Sequence, residues 1–410
     1  MSIVVTSVSE SVQTQQPRGV DVTEIDQLLS AAVEDKVIPF GVAMVTDRHG
    51  VLWSGVAGNR TPDVAATTDT LFRIFSMSKA IGAVAANILI DKQLLTLDTP
   101  VVDILDDFKN IQVLDGYGSN GPNLRDPRTP ITVRHLLTNS AGFAYPGWSD
   151  RQSTFALLTD APHPNSGLLD AIRGPLMFDP GEGMVYGYGF DWIGPLIEEL
   201  DGRRVVEFCQ AEIFDPLGMI DTMFEPDRAI DRLATGTLRT PDGSFTPFVV
   251  SPPAQPEVYG LGQALYGTAP DYIRFLRFFL NKGELDGRRL LSPEGFERMT
   301  TPQAGSLTMP VMKTTASVFS ADANLCPESS KTWTTGFLTN TSDLEGRRRA
   351  GSLTWAGFLN THYWADPTTG VAAVLMTQLL PFVDPEFMNL YDTFERTVYK
   401  TFAHTPGAMT

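Results

Sequence analysis

Apolar residues in the stretch 21–36 return every three or four positions, with Ile25, Leu28, Leu29, Ala32 and Val33 on one face. That period predicts an amphipathic helix, with Asp21 and Thr23 as candidate caps. Runs 40–45 and 51–56 follow, joined at Asp47-Arg48-His49-Gly50, and predict a hairpin. The apolar run 80–90 predicts a helix over about 78–92, and 269–281 another, with Tyr272, Phe275, Leu276 and Phe279 in a stripe. Near the C-terminus, 349–356, 360–365 and 370–378 predict three antiparallel strands, followed by a helix over 385–402. The middle, roughly 97–260, mixes helical stretches with Pro- and Gly-rich loops such as 115–130 and 160–167.

Strands at both ends with helices between predict an α/β (α+β) fold. An antiparallel sheet flanked by helices is built from both chain ends, residues 21–96 and 261–410. A mostly helical domain, 97–260, is inserted between them, with a cleft at the junction. Residues 1–20 read as a flexible tail.

Composition narrows the function classes. At 410 residues, with 42% hydrophobic and 19% charged, the chain can bury a sizeable core. A net charge of −17 argues against nucleic acid or an anionic membrane as partner. The longest apolar run is far short of the roughly 20 residues that span a bilayer. The start of the chain lacks a basic segment and a leucine-rich stretch, so a cytoplasmic protein is expected. Cys209 and Cys326 lie far apart, which favours free thiols and leaves a disulfide open. His49, His135, His163, His362 and His404 have no ligand spacing, and no phosphate loop occurs, so neither metal nor other cofactor is expected. His135 is expected to bond within the helical domain, and His362 to be structural rather than to line the cleft.

Three stretches carry chemistry. Ser76-Met77-Ser78-Lys79 is the one Ser-x-x-Lys in the chain. If Ser76 opens the second helix, Lys79 returns to the same face one turn later, and a neutral amine there can take the hydroxyl proton. Alone, the pattern equally describes a polar helix start with a surface lysine. The Gly-punctuated loop 180–189 leads into an apolar helix and can aim Tyr186 into a cleft, although a loop tyrosine packed on a helix start reads the same way. Stretch 351–358, Gly-Ser-Leu-Thr-Trp-Ala-Gly-Phe, is a strand whose small residues let a substrate carbonyl approach the backbone, or simply an edge strand with a bulge.

Taken in order, these stretches resemble the serine β-lactamase and penicillin-binding-protein superfamily, specifically class C β-lactamases, family VIII carboxylesterases and the lovastatin-type acyltransferase. Segments 131–142, 213–219 and 283–288 also look like recurrent parts of it, and the resemblance covers about 22–400. It implies an acyl-enzyme on Ser76, with Lys79 and Tyr186 as the base pair. It also implies an oxyanion hole from the backbone N–H groups of Ser76 and Phe358. The departures point away from β-lactams. Where the superfamily usually has Lys-Thr-Gly or His-x-Gly, this chain has Trp355-Ala356-Gly357, and Tyr188 stands in place of the Asn of Tyr-x-Asn. Trp-Ala offers no cation for a substrate carboxylate. The sequence therefore favours a carboxylesterase acting on neutral carboxylic esters, short-chain or bulky and apolar, with Tyr145, Trp148, Tyr188, Trp355, Ala356 and Gly357 lining the pocket. The alternatives are acyl transfer to an alcohol, a β-lactamase or D-peptidase, and a non-catalytic binding protein on the same fold.

Overall fold

The computed structural model describes residues 20–249 and 256–402. The expected tail at 1–20 lies, but for its last residue, outside the described residues.

The N-terminal helix forms over Thr23–Glu34 (α1), with Ile25, Leu29 and Ala32 buried. Asp21 accepts the Thr23 amide at 3.0 Å. Strands Phe40–Thr46 (β1) and Val51–Thr61 (β2) make the expected hairpin, extended by Val64–Ala65 (β3). The second group of strands is Lys331–Trp333 (β4), Leu338–Asn340 (β5), Leu353–Gly357 (β6), Thr361–Asp366 (β7) and Val371–Met376 (β8). All join one antiparallel sheet in the order β4-β5-β6-β7-β8-β1-β2-β3. The seam between the two chain ends is β8 on β1, where Val42 faces Met376 and Val45 faces Ala373.

Alternation along these strands feeds two cores. Ala43, Val45, Ala373 and Leu375 pack with α1 and with the C-terminal helix Pro385–Phe402. Val42, Met44, Val374 and Met376 pack on the other face with helices Ser78–Asp91 (α2) and Ala269–Leu280 (α3). With both faces covered, β1, β6, β7 and β8 are buried along their whole length. A buried pair ties the C-terminal helix to the connection between β5 and β6, Arg348 donating to both carboxylate oxygens of Glu395 at 2.7 Å.

The stretch 115–130, expected to be a loop, is in part a hairpin of Val113–Gly118 with Gly121–Arg125. Glycines and a proline suppress its strand signal. Ion pairs stand in for apolar alternation, since Arg125 reaches Asp179 at 2.6 Å and Asp115 at 3.3 Å. Asp179 is held down at about 2, chiefly by Arg125. Among the described residues, no helix is long and apolar enough to cross a membrane. Cys209 and Cys326 are free thiols.

Candidate active site

The chain reaches Ser76 through the two-residue strand Phe72–Arg73, which pairs with Tyr266–Gly267. Phe75 then takes a left-handed conformation, φ +43°. Ser76 sits in a 3-10 turn, Phe75–Met77, that runs into α2 and so stands just ahead of the helix it was expected to open. A bulky residue at positive φ is a strained position that surrounding packing must hold. Here Tyr272 donates to the Met77 carbonyl at 3.1 Å, and the Ser78 hydroxyl accepts the Leu265 amide at 3.2 Å. Because α2 is buried on every side, the turn has no room to shift.

Lys79 is fully buried, and its Nζ donates to Gly262 O at 2.9 Å, Tyr145 Oη at 3.2 Å and Ser76 Oγ at 3.4 Å. Gly262 has to be glycine. A Cβ there would lie 2.5 Å from Asp191 Oδ1 and 3.3 Å from Lys79 Nζ. Tyr186 donates to Ser76 Oγ at 2.5 Å and accepts from Trp355 Nε1 at 3.2 Å. Trp355 is clamped between Tyr186 and Trp333, ring centroids 4.9 and 4.8 Å away. At the end of β6, Gly357 lies against the turn that carries Ser76. A Cβ on it would fall 2.3 Å from the Ile74 carbonyl oxygen. Phe358, half-buried, packs on Phe75 and Phe382.

The structure thus brings Ser76, Lys79 and Tyr186 within hydrogen-bonding distance, with Tyr145 and Trp355 as their immediate partners. Trp148 is half-buried on Phe382. Tyr188 is not in this group. Its ring is fully buried beneath Tyr145, and its hydroxyl points to Gly174. Tyr145, from a loop 41 residues earlier in the chain than Tyr186, supplies one of the three oxygens to which Lys79 donates. Trp355 and Ala356 are buried too, and the indole N–H is spent on Tyr186 rather than offered to a ligand. Burial raises the Tyr145 phenol well above its ordinary value. His362 is fully buried against Phe387 and Tyr391, and burial pushes its imidazole down to about 3. His135 accepts the Thr132 amide inside a helix cap at 3.1 Å.

Sequence reasoning missed Asp191. This buried carboxylate accepts the Gly262 amide at 2.8 Å, and burial raises it to about 6 against the opposing pull of Lys79. Its place in Tyr-x-x-Asp was visible, but nothing local linked it to a segment 71 residues away. Chemically, a hydroxyl flanked by an amine and a phenol, beside a close-approach strand end, can act as an activated nucleophile.

The Beta-lactamase family profile matches residues 25–395. The chain is 28% identical over 401 residues to ML-236A carboxylate methylbutanoyltransferase mlcH of Penicillium citrinum, covering 92% of this chain and 94% of that one. It is 27% identical over 402 residues to the Lovastatin esterase of Penicillium rubens, covering 93% and 100%. Its fold superposes on unliganded Simvastatin Synthase (LovD) from Aspergillus terreus with a TM-score of 0.79 at 26% identity, covering 93% and 99%. With a family match across nearly all of its sheet and helices, and relatives aligned almost end to end, this chain belongs to the Beta-lactamase family.

Proposed function

We propose that the protein is a serine acyltransferase that moves an acyl group from a small neutral ester to an alcohol through acyl-Ser76. The observation that carries this reading is the Tyr186–Ser76 hydrogen bond at 2.5 Å, with Lys79 Nζ 3.4 Å from the same oxygen. In the first step Ser76 Oγ bonds the ester carbonyl carbon, its proton passes through Tyr186 and Lys79, and the leaving alcohol departs with that proton. In the second step an acceptor hydroxyl repeats the attack and Ser76 is released. The backbone N–H groups of Ser76 and Phe358 are the oxyanion donors in this scheme, each worth about 3–4 kcal/mol in the transition state.

Sequence alone put hydrolysis first and transfer second. The relatives lend more support to transfer, since a methylbutanoyltransferase and a simvastatin synthase stand among them. The aromatic surroundings of the cluster, Tyr145, Tyr186 and Phe190 within 6 Å of Lys79 Nζ, support a dry site in which alcohol competes with water. Hydrolysis stays as a second reading, favoured by the likeness to an esterase. The deciding experiment supplies p-nitrophenyl butyrate with and without graded alcohols and measures butyrate against butyryl ester by chromatography. Ester product dominating at modest alcohol concentration supports transfer. Free acid alone, whatever the alcohol, overturns it in favour of the esterase.

A further inference from the structure

Asp191 is a buried acid beside the base pair, and the scheme above gives it no part. Its carboxylate is pinched between two glycines. A Cβ on Gly260 would fall 2.3 Å from Oδ1, and one on Gly262 would fall 2.5 Å from it. Neither glycine takes a positive φ, so close approach is what keeps both positions free of a side chain. Between them Leu261 lies against α2, where a Cβ on Gly82 would meet the Leu261 Cβ at 2.8 Å. The Gly-Leu-Gly turn is thus fitted on one side to a carboxylate and on the other to the helix that carries Lys79. Farther along the segment, the Leu265 amide donates to the Ser78 hydroxyl at 3.2 Å, and the Leu265 carbonyl accepts the Ile74 amide at 3.1 Å.

Gly262 is held at both of its backbone groups. Its amide donates to Asp191 Oδ1 at 2.8 Å, and its carbonyl accepts from Lys79 Nζ at 2.9 Å. The space where its Cβ would stand is shared by the two side chains, 2.5 Å from Oδ1 and 3.3 Å from Nζ. Carboxylate and amine therefore lie within about 6 Å of each other, the range in which opposite charges favour one another's ionised forms.

Lys79 is fully buried, and its three acceptors are neutral oxygens. When the Ser76 proton reaches Nζ, an ammonium forms in that setting, and a buried ammonium without a counter-charge is costly. Burial raises the Asp191 carboxyl to about 6, and Lys79 is the charged group that pulls the other way. Tyr145 and Tyr188 are the other titratable groups on which the carboxylate acts, and burial, with that charge behind it, holds both phenols well above neutral pH.

We propose that Asp191 is a positioning residue for Lys79: it fixes the Gly262 carbonyl on Nζ, and its negative charge, acting across the gap that Gly262 leaves, stabilises the ammonium formed as Ser76 attacks. The inference rests on the acyl-Ser76 scheme and adds to it the group that balances the transient charge. The proton passes from Ser76 Oγ through Tyr186 to Lys79 Nζ and then to the oxygen of the leaving alcohol. Asp191 neither gives nor takes one.

Asp191→Asn keeps an oxygen for the Gly262 amide and removes the charge. The test is kcat/KM for p-nitrophenol release from p-nitrophenyl butyrate by wild type and Asp191→Asn between pH 4.5 and 8, with Ser76→Ala alongside. At pH 8 the variant is expected to be at least about tenfold slower. Below about 6 the wild-type carboxyl takes a proton and becomes as neutral as the amide, so the ratio of the two rates is expected to narrow to a few-fold by pH 4.5. A residue with only a structural role would leave that ratio independent of pH, and whatever else titrates in both enzymes cancels in it. A ratio that stays constant or widens toward acid overturns the proposal, as does an undiminished rate at pH 8. If Asp191→Asn fails to fold, Asp191→Ser, neutral and smaller, takes its place under the same criteria. A wild-type profile flat from pH 8 to 4.5 overturns the proposal without any variant. Turnover retained by Ser76→Ala overturns the acyl-Ser76 scheme itself, and this proposal with it. Whether the final product is ester or acid does not enter, since p-nitrophenol leaves in the first step either way.

Discussion

Two polar clusters grow from the same short stretch of chain, and they treat their atoms in opposite ways. Around Ser76 the functional atoms are engaged. Lys79 has three acceptors, and Tyr186 donates to Ser76 and accepts from Trp355. Around Arg73, three residues away, Arg73, Tyr266, Gln263 and Asp191 each keep a buried polar atom with no partner among the described residues. A group that must act in a transition state gains from being fixed beforehand, because no reorganisation is then needed at the moment of reaction. The contrast separates a preorganised site of chemistry from a neighbouring patch of interior that leaves polar atoms unpaired.

The sharpest way to break the comparison is Ser76→Ala. Acyl transfer is expected to fall by ~10⁴-fold or more, while the melting temperature stays close to that of wild type. Intact-protein mass after brief exposure to an activated ester should show one acyl group, on Ser76. Label on Ser78 or Ser352 would sink the assignment. Next in size, Lys79→Ala and Tyr186→Phe should each slow acylation by about 10²–10⁴-fold, and the double variant should be little worse than either. Independent, multiplying losses would make Tyr186 a positioning residue.

The partners of that pair come third. Trp355→Phe removes the N–H that reaches Tyr186 and keeps most of the ring, so kcat is expected to drop about 10–100-fold with little change in KM. Tyr145→Phe removes one of three acceptors from Lys79, and a drop of about 3–10-fold is expected. Steady-state kinetics on p-nitrophenyl butyrate measure both. A Trp355→Phe enzyme that loses KM and keeps kcat would return the indole to the pocket lining.

These effects mark where sequence was informative. Ser76 and Lys79 meet because three residues nearly close a turn, which is local geometry and readable from spacing. Strands β1, β2, β7 and β8 were readable because runs of β-branched, aromatic and other apolar residues between turn residues are themselves a local signal. The short strands β4 and β5 were not, since three residues such as Lys331-Thr332-Trp333 carry no period. Tyr145 was foreseen as a pocket residue but not as a partner of Lys79, because that bond spans 66 residues. Tyr188 was misread for the same reason. Its motif position is local, whereas the direction of its ring is set by Tyr145 and Phe143. Arg73 looked ordinary in the sequence, because a missing counter-charge is a property of the whole interior.

Asp191 stands between the two clusters, one oxygen on the Gly262 amide and the other buried without a partner among the described residues. It gives the smallest effect and the most direct link between them. Burial raises its carboxyl from 3.8 to about 6, so the folded protein holds the proton more tightly than the unfolded chain does. The stabilising contribution is therefore full below about pH 4 and is lost as pH rises through about 6, by on the order of 2–3 kcal/mol. Asp271, raised to about 7 by burial, loses stability in the same direction and is common to wild type and variant, so it cancels in the difference. Asp191→Asn keeps an oxygen for Gly262 and never ionises. Its melting temperature relative to wild type is expected to climb by about 2–5 °C between pH 4.5 and 7.5. Differential scanning fluorimetry across that range reads the slope. Parallel curves would mean that Asp191 stays ionised throughout, and that the wall between the two clusters is wetter than its burial implies.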